Sequence, residues 1–259
     1  MVPLRRPRCL ATPAGIQLPT APEYINAMSL FAIILFVGTM LISLWAAARV
    51  KSVYRRYSQV PASSRATGAE VARAILQRAG IRDVEILPHD ELLGDHYDPT
   101  NKRLVLSTHN FHGNSVAAYG VAAHECGHAI QHQQAYGPLH WRMAAVGATN
   151  FASQIVMWLP MIGMFTGILS WNTASWIMAA AWGVIMLFNL ITLPVEFDAS
   201  ARAKRVLAEM GFIGTDEEMT GVRKVLDAAG WTYVAALITS LGYLLYHLLP
   251  LLTGGRRSE

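Results

Sequence analysis

The chain has 259 residues, of which 53% are apolar and only 15% are charged, and its formal net charge is +4. This apolar excess and the mean hydropathy of +0.31 are unusual for a soluble domain and favour a membrane protein. The modest charge gives no indication of a nucleic-acid partner, and two distant cysteines, Cys9 and Cys126, exclude a disulfide framework and a CxxC zinc pattern.

The N-terminal segment, residues 1–27, has no pattern that would bury a hydrophobic face. It contains five prolines and three arginines, and we expect it to be a disordered tail. Met28 stands directly before the first apolar segment. We therefore hypothesise that translation starts at Met28 and that the preceding residues are not part of the native protein.

Four segments of the chain are apolar enough to cross a membrane. Each runs for about 20 residues or more without Asp, Glu, Lys or Arg, and tryptophans stand near their ends, as is typical of membrane interfaces. The alternative is a large soluble protein, which would have to bury four uncharged helices of this length. We predict transmembrane helices at residues 28–49, 147–170, 173–194 and 232–252.

Two polar blocks, residues 50–146 and 195–230, connect these segments and come to lie on the same side of the membrane. Of the 21 Lys and Arg residues, 16 lie between residues 49 and 146 or between 195 and 230. Because positive residues near transmembrane helices favour the cytoplasmic side, we predict that both blocks are cytoplasmic. A short tail, residues 253–259, is left on the opposite side.

The first block begins with clear local signals. Thr67–Glu70 is a capping box that opens a helix, and Gly80 closes it. We predict short strands at residues 84–87 and 102–107, with a turn at Asp98–Asn101 between them.

Helices follow in the rest of both blocks. Asn114 or Ser115 can cap a helix that covers about residues 115–134. In the second block we predict one helix over residues 195–210 and another that is capped at Thr215 and ends at Gly230.

The helix at 115–134 contains the sequence His-Glu-Cys-Gly-His, which begins at His124. In a helix, His124 and His128 lie on one face and can bind the same zinc ion, while Glu125 can take a proton from a water molecule at the metal. This pattern is typical of a metallopeptidase, with Glu125 as the catalytic residue. Cys126 points about 200° away from the histidines, and we expect it to be a packed small residue and not a ligand.

A catalytic zinc ion usually takes three protein ligands, so a third one is needed. Gln134 occupies the position where the extended metzincin motif has its third histidine. From Cys126 to Val195 there is no Asp or Glu, and Glu196 is the first. We predict that Glu196 completes a site for one zinc ion per chain. Asp198 is the rival ligand, or else it orients a ligand histidine.

Other side chains near the motif are candidates for supporting roles. His132 lies about 12 Å along the helix from His124, too far to share the ion, so it either shapes the cleft or lies on the surface. A neutral donor near the metal would stabilise the oxyanion of the reaction, and for each candidate a structural or solvated role is the alternative. These candidates are His96, Tyr97, His109 and His112.

Four motifs occur in an order that points to a known family. They are Thr67–Glu70, Asp95–Pro99, Ser115–Gln131 and Leu193–Ser200. With these motifs the chain resembles the YugP-like integral membrane neutral zinc metallopeptidases over about residues 29 to 250. The resemblance implies a bacterial cell-membrane peptidase with His124 and His128 as zinc ligands and Glu125 as the catalytic residue.

The resemblance also extends to more distant relatives, the HtpX heat-shock protease and the CAAX prenyl endopeptidases. Their zinc-binding glutamate likewise follows transmembrane helices, and an Asp stands four residues after it. In this chain Ser200 holds that position.

The predicted fold class is a mainly α, multi-pass membrane protein with four transmembrane helices and a cytoplasmic zincin-like metallopeptidase region that contains a small β element. The predicted function is hydrolysis of peptide bonds in a protein or peptide substrate at the lipid bilayer, with an extended substrate paired to the strand at Lys102–Ser107. No feature of the sequence sets an oligomeric state.

Two other functions remain as alternatives. A non-enzymatic zinc-binding or zinc-transport membrane protein would need ionisable ligands inside the apolar segments, where His247 stands alone. An intramembrane site-2-type protease would bury the His-Glu-x-x-His motif within an apolar span, whereas polar residues, Gln131 to Gln134, follow the motif here.

Overall fold

The computed structural model describes residues 21–90, 94–167 and 169–254. Within these residues the chain forms seven helices and three strands. In chain order they are α1 (Ala21–Tyr57), α2 (Gly68–Arg78), β1 (Glu85–His89), β2 (His96–Asp98), β3 (Arg103–Ser107), α3 (Thr108–His112), α4 (Val116–Gln133), α5 (Gly137–Thr166), α6 (Trp171–Glu209) and α7 (Asp216–Gly254).

The start of α1 differs from the sequence-based expectation. The helix begins at Ala21, so residues 21–27 are helical, although we expected them to belong to a disordered tail. The rest of that predicted tail, with Cys9, lies outside the described residues, and so do residues 255–259.

Four helices are long and apolar enough to cross a membrane, namely α1, α5, α6 and α7. Helix α6 packs on both α5 and α7, and α7 also packs on α1. Large apolar side chains such as Phe36, Phe151 and Leu187 are exposed on the outer surfaces of these helices, where lipid tails would cover them. The prediction of a mainly helical protein with four candidate spans is confirmed.

Helices α6 and α7 continue beyond their apolar segments without a break. Helix α6 passes through Pro194 and reaches Glu209, and α7 passes through Gly230. The prediction that a helix ends at Gly230 is therefore wrong. A Cβ atom at Gly230 would lie 3.1 Å from the Phe197 ring, so this glycine allows close packing of α7 on α6. Each of these helices thus extends from its apolar segment into the polar part of the protein.

The caps that were predicted around the polar part are confirmed. The Glu70 backbone N–H donates to the Thr67 hydroxyl, and the Thr67 N–H donates to the Glu70 carboxylate, which forms the capping box of α2. Gly80 follows the helix with a left-handed φ of +75°. Ser115, and not Asn114, caps α4 by accepting a hydrogen bond from Ala118.

The small sheet has the strand order β1-β3-β2. Strand β1 is parallel to β3, and β2 is antiparallel to it. Strands β1 and β3 lie close to the predicted positions, whereas β2 has only three residues, too few for an alternating pattern to reveal it. The predicted turn exists and connects β2 to β3, with the Asp98 carboxylate accepting from the N–H groups of Thr100 and Asn101.

The core of the polar part surrounds α4. Tyr119 on α4 and Leu104 and Leu106 on β3 are fully buried within one apolar cluster to which α2 and the ends of α1, α6 and α7 contribute. Next to it, Asn110 accepts a hydrogen bond from the Tyr54 hydroxyl of α1 and donates to Asp95. This pair of contacts ties α1 to the loop that precedes β2.

Helices α4 and α6 touch each other backbone to backbone at Gly127. A Cβ atom at this position would lie 2.7 Å from the carbonyl oxygen of Ala199 and 3.0 Å from its Cα. Gly127 precedes His128 on α4, and Ala199 is three residues after Glu196 on α6. Because no side chain separates the helices here, a side chain on α6 can reach the histidines of α4.

We predict that Gly127→Ala destabilises the protein by about 1–3 kcal/mol, because the new methyl group collides with backbone atoms that have no free space to move into. Thermal unfolding of the detergent-purified protein measures this effect. Gly147→Ala is the matched control, since a Cβ at Gly147 on α5 would have no neighbour within 4 Å. This control should unfold at the same temperature or higher, and equal stability of the two variants would contradict the prediction.

Candidate metal centre

Three side chains from two helices meet at the site. His124 and His128 come from successive turns of α4, and Glu196 comes from α6. Their ligand atoms all lie within 4.8 Å of one another. Among the described residues, these three form the cluster of His, Cys, Asp or Glu side chains that could hold a metal ion. The structure thus brings together the three residues that the sequence predicts as ligands.

The spacing of these atoms fits a zinc ion. The Glu196 Oε2 atom is 3.2 Å from His124 Nε2 and 3.6 Å from His128 Nε2. Two ligand atoms that are each roughly 2.1 Å from one tetrahedral ion lie about 3.4 Å apart. The donor set of two imidazoles and one carboxylate is also that of many catalytic zinc sites. The residues present therefore fit the metal.

The second nitrogen of each imidazole is held by a polar side chain. His128 Nδ1 lies 3.0 Å from Gln131 Oε1 and donates to it, while His124 Nδ1 lies 3.1 Å from the Ser200 hydroxyl. An amide oxygen can only accept, so Gln131 fixes the tautomer that leaves the Nε2 atom of His128 free for a metal. The same assignment for His124 makes Ser200 the acceptor.

Asp198 contacts neither histidine directly. Its Oδ2 atom accepts hydrogen bonds from Gln131 Nε2, at 2.8 Å, and from Arg202 Nε. Asp198 lies two residues after Glu196, about 200° around α6, and so points away from the ligand atoms. It orients His128 only through Gln131, and the direct contact that we expected of Asp198 is made by Gln131 and Ser200.

Glu196 is a deeply buried carboxylate whose two oxygens have different neighbours. The side chain is only 3% exposed. Oε2 faces the two histidines, and Oε1 lies 3.0 Å from Nη1 of Arg142 on α5. This contact is short enough for an ion pair, but its geometry is not that of a hydrogen bond, and Oε1 has no hydrogen-bond partner among the described residues. Arg142 therefore balances the buried charge from the Oε1 side and leaves Oε2 facing the two histidines, where a metal would bind.

Glu125 follows His124 and is also buried, with 7% of its surface exposed. It lines the same cavity as the three ligands. Cys126, the next residue, is fully buried against Ala72 and does not belong to the ligand group, as predicted. Burial raises the pKa of the Cys126 thiol well above its ordinary value.

The carboxylates of the site influence the protonation of His128. Burial lowers the pKa of His128, but the hydrogen bond to Glu196 and the charge of Glu125 outweigh this effect, so the pKa lies above its ordinary value. Without a metal, His128 therefore holds a proton more firmly than a solvated histidine does.

The three ligand side chains line a cavity of about 260 Å³ between α4, α5, α6, α7 and β2. Its walls combine polar residues from the β2 region with apolar residues from the first turns of α5, namely Leu139, Met143 and Val146. Two side chains that the sequence analysis did not identify also line it, Arg142 on α5 and Tyr233 on α7. The cavity is a cleft in which a substrate can reach the ligands and Glu125 together.

The remaining candidates from the sequence divide into two groups. His96 and Tyr97 line the cleft, although the Tyr97 hydroxyl is 2.9 Å from His132 Nδ1 and is bonded to it. His132 is absent from the ligand group, as its distance along the helix predicts. His109 and His112 are exposed and line a separate surface depression with Asp90, which leaves them outside the cleft.

Four contributors to the site were missed at first, and two of them had a signal in the sequence. Arg142 is the only charged residue within α5, and Ser200 stands where the distant relatives have an Asp. Gln131 and Tyr233 had no such signal, because only the packing of α4, α6 and α7 shows which way these side chains point.

Comparison with known proteins agrees with the geometry. A family model described as "Putative neutral zinc metallopeptidase" matches residues 32–252. The "Putative membrane protease YugP" of Bacillus subtilis (strain 168) is 45% identical over 222 residues, which cover 86% of this chain and 97% of the relative. No solved structure matches the chain. Since the family model spans most of the sequence, the chain belongs to the family described as "Putative neutral zinc metallopeptidase".

Proposed function

We propose that this protein is an integral membrane zinc metallopeptidase that hydrolyses peptide bonds in proteins or peptides. Its zinc ion, one per chain, would be held by His124, His128 and Glu196. The observation that carries the proposal is the meeting of these three ligand atoms in a cleft that Glu125 also lines. Four candidate membrane spans and the relative's printed name, a membrane protease, support the membrane setting.

Zinc bound at this site would supply a positive charge that favours ionisation of water and polarises a substrate carbonyl. Glu125 performs the proton transfers. It accepts one proton from the water that attacks the carbonyl carbon, and it returns this proton to the amine nitrogen when the C–N bond breaks. Water is thus divided between the new carboxyl group and the new amine. The burial of Glu125 beside the ligands suits this role.

The cleft is suited to an extended polypeptide. Strand β3, which the sequence suggested as the partner of a substrate, lies between β1 and β2, so both of its edges are occupied. Strand β2 is the edge strand beside the cleft, and His96 and Tyr97 of this strand line it. A substrate chain paired to the outer edge of β2, which no strand of the described residues occupies, would lie along the cleft while its side chains vary.

We further propose that the catalytic side is cytoplasmic. The polar parts of the chain that build the site carry most of the positive charge, and positive residues near membrane helices favour the cytoplasm. Arg142, in the second turn of α5, is one of these residues.

Neither alternative function gains support from the described residues. Helix α4, which carries the motif, is not one of the four candidate spans, whereas a site-2-type protease would bury it in the membrane. A zinc transporter would need ligands along the spans. The ligand group found in the described part of the chain lies instead beside the polar core.

We predict that Glu125→Gln keeps zinc but lowers kcat by at least about 100-fold, because an amide of the same shape cannot accept the proton. The measurements are zinc content and cleavage of fluorescently labelled casein by the detergent-purified protein. Glu209→Gln is the matched control, since Glu209 forms an exposed ion pair with Arg78 away from the cleft. Wild-type activity in Glu125→Gln would refute the proposed role of Glu125.

We predict that Glu196→Ala loses zinc, because two histidines alone bind the ion too weakly to retain it during purification. Elemental analysis should find close to one zinc ion per wild-type chain and far less in the variant. Glu209→Ala serves as the control for loss of a carboxylate. If Glu196→Ala keeps its full zinc content, Glu196 is not a ligand.

The raised pKa of His128 predicts the pH dependence of zinc binding. Zinc binds the neutral imidazole, so the ion must displace a proton once the pH falls below this pKa. Affinity should fall by up to about tenfold per pH unit for one displaced proton, and the fall should begin at a higher pH than for an ordinary histidine. Chelator competition at a series of pH values measures it. A constant affinity from mildly alkaline to mildly acidic pH would contradict the prediction.

A further inference from the structure

The cleft contains few side chains that could donate a hydrogen bond to the substrate carbonyl oxygen as it becomes negatively charged. Among the described residues that line it, and apart from the two histidine ligands, four carry a side-chain donor. They are His96, Tyr97, Arg142 and Tyr233. Each of the four can be judged by the partner it already has.

Three of these donors are engaged elsewhere. His96 Nδ1 lies 2.8 Å from the carbonyl oxygen of Gly94 and donates to it, so the other nitrogen of the neutral ring is an acceptor. The Tyr97 hydroxyl is bonded to His132 Nδ1 at 2.9 Å. Arg142 forms the ion pair with Glu196. Because Glu196 is buried, its negative charge depends on Arg142 for compensation.

Tyr233 is the remaining donor, and its surroundings favour a role in the reaction. Its side chain lines the same cavity as the proposed ligand Glu196 and the proposed proton acceptor Glu125. The hydroxyl is therefore within reach of a carbonyl oxygen bound in that cavity. Among the described residues, Oε1 of Glu196 has no hydrogen-bond partner and Arg142 balances its charge, so the carboxylate does not depend on the Tyr233 hydroxyl.

Helix α7 holds Tyr233 at a fixed place relative to Glu196. Gly230, one turn earlier on α7, packs against Phe197, the residue that follows Glu196 on α6. The phenol and the carboxylate therefore extend from helices that touch within one turn of both residues. A donor fixed in this way loses little entropy when charge develops beside it, which is the condition for effective oxyanion stabilisation.

We propose that Tyr233 is a catalytic residue that donates a hydrogen bond to the substrate carbonyl oxygen as this oxygen becomes an oxyanion. The hydroxyl keeps its proton throughout, so the water and proton balance of the hydrolysis is unchanged. The inference rests on the proposed peptidase function and adds the residue that acts on the carbonyl oxygen. It also replaces the four candidates suggested by the sequence, His96, Tyr97, His109 and His112.

The test is Tyr233→Phe, which removes only the hydroxyl. We expect zinc content and thermal unfolding to match the wild type, KM to change by no more than about twofold, and kcat on a fluorogenic peptide to fall by about 100- to 1000-fold. Tyr233→His, which retains a neutral donor, should recover part of the lost activity.

A second measurement does not depend on turnover. A peptide phosphonate carries tetrahedral anionic oxygens like those of the reaction, so its affinity should fall in Tyr233→Phe in proportion to kcat/KM. Affinity for the uncleaved peptide, measured by fluorescence anisotropy in the Glu125→Gln background, should be the same with and without the Tyr233 hydroxyl.

One matched tyrosine serves as the control. Tyr243→Phe changes another residue of α7, whose ring stacks on Trp182 away from the cleft, and it should behave as the wild type. Tyr97→Phe removes the second hydroxyl of the cleft and tests the rival donor, because a loss of phosphonate affinity in this variant and not in Tyr233→Phe would assign the role to Tyr97.

Several results would overturn the inference. Unchanged kcat in Tyr233→Phe would do so, as would an equal loss of affinity for phosphonate and peptide, a loss of zinc, or an effect that appears in Tyr97→Phe instead. If the wild-type protein binds no zinc and cleaves no peptide, the proposed function itself fails. A wild-type enzyme with a fully active Tyr233→Phe variant would refute this inference alone.

Discussion

The charge of Glu196 is the constraint around which the site is organised. Taking an isolated carboxylate out of water costs several kcal/mol, and Glu196 is almost fully buried. Its charge is tolerated because helix α4 supplies two imidazoles and α5 supplies a guanidinium, one group of neighbours for each carboxylate oxygen. These contacts require α4, α5 and α6 to be packed together. The packing that compensates the buried charge of Glu196 also aligns this carboxylate for a metal.

Three of the candidate membrane-spanning helices form much of the wall of this site. Arg142, Glu196 and Tyr233 belong to α5, α6 and α7, and each stands near the end of a long apolar segment. Helices α6 and α7 continue from these segments without a break, so the packing of their apolar segments on each other also fixes the distances between side chains in the cleft. The polar region therefore does not act as a separate soluble domain attached to a membrane anchor.

The parts of the molecule that the sequence predicts well depend on local patterns. Thr67 and Ser115 reveal helix starts through capping, and the spacing of His124 and His128 reveals a shared helix face. Glu196 could be found because a long stretch without acidic residues precedes it. Contacts between distant elements leave no such pattern. In the sequence, Gln131 is only one of several polar residues that follow the motif, yet the packing of α4 on α6 makes it the residue that orients His128. Gly230 resembled a helix end because its contact with Phe197, which explains why a glycine stands there, leaves no pattern in the sequence.

The distance along the chain between the ligands has a consequence for biosynthesis. His124 and Glu196 are 72 residues apart, and the residues between them form α5 and the apolar part of α6. Both histidines are therefore synthesised well before the glutamate. The glutamate can reach them only after the hairpin formed by α5 and α6 has folded back. If that hairpin crosses the bilayer, a chain that fails to insert cannot assemble the three ligands. Membrane insertion would then act as a checkpoint that keeps newly made, uninserted copies from cleaving other proteins.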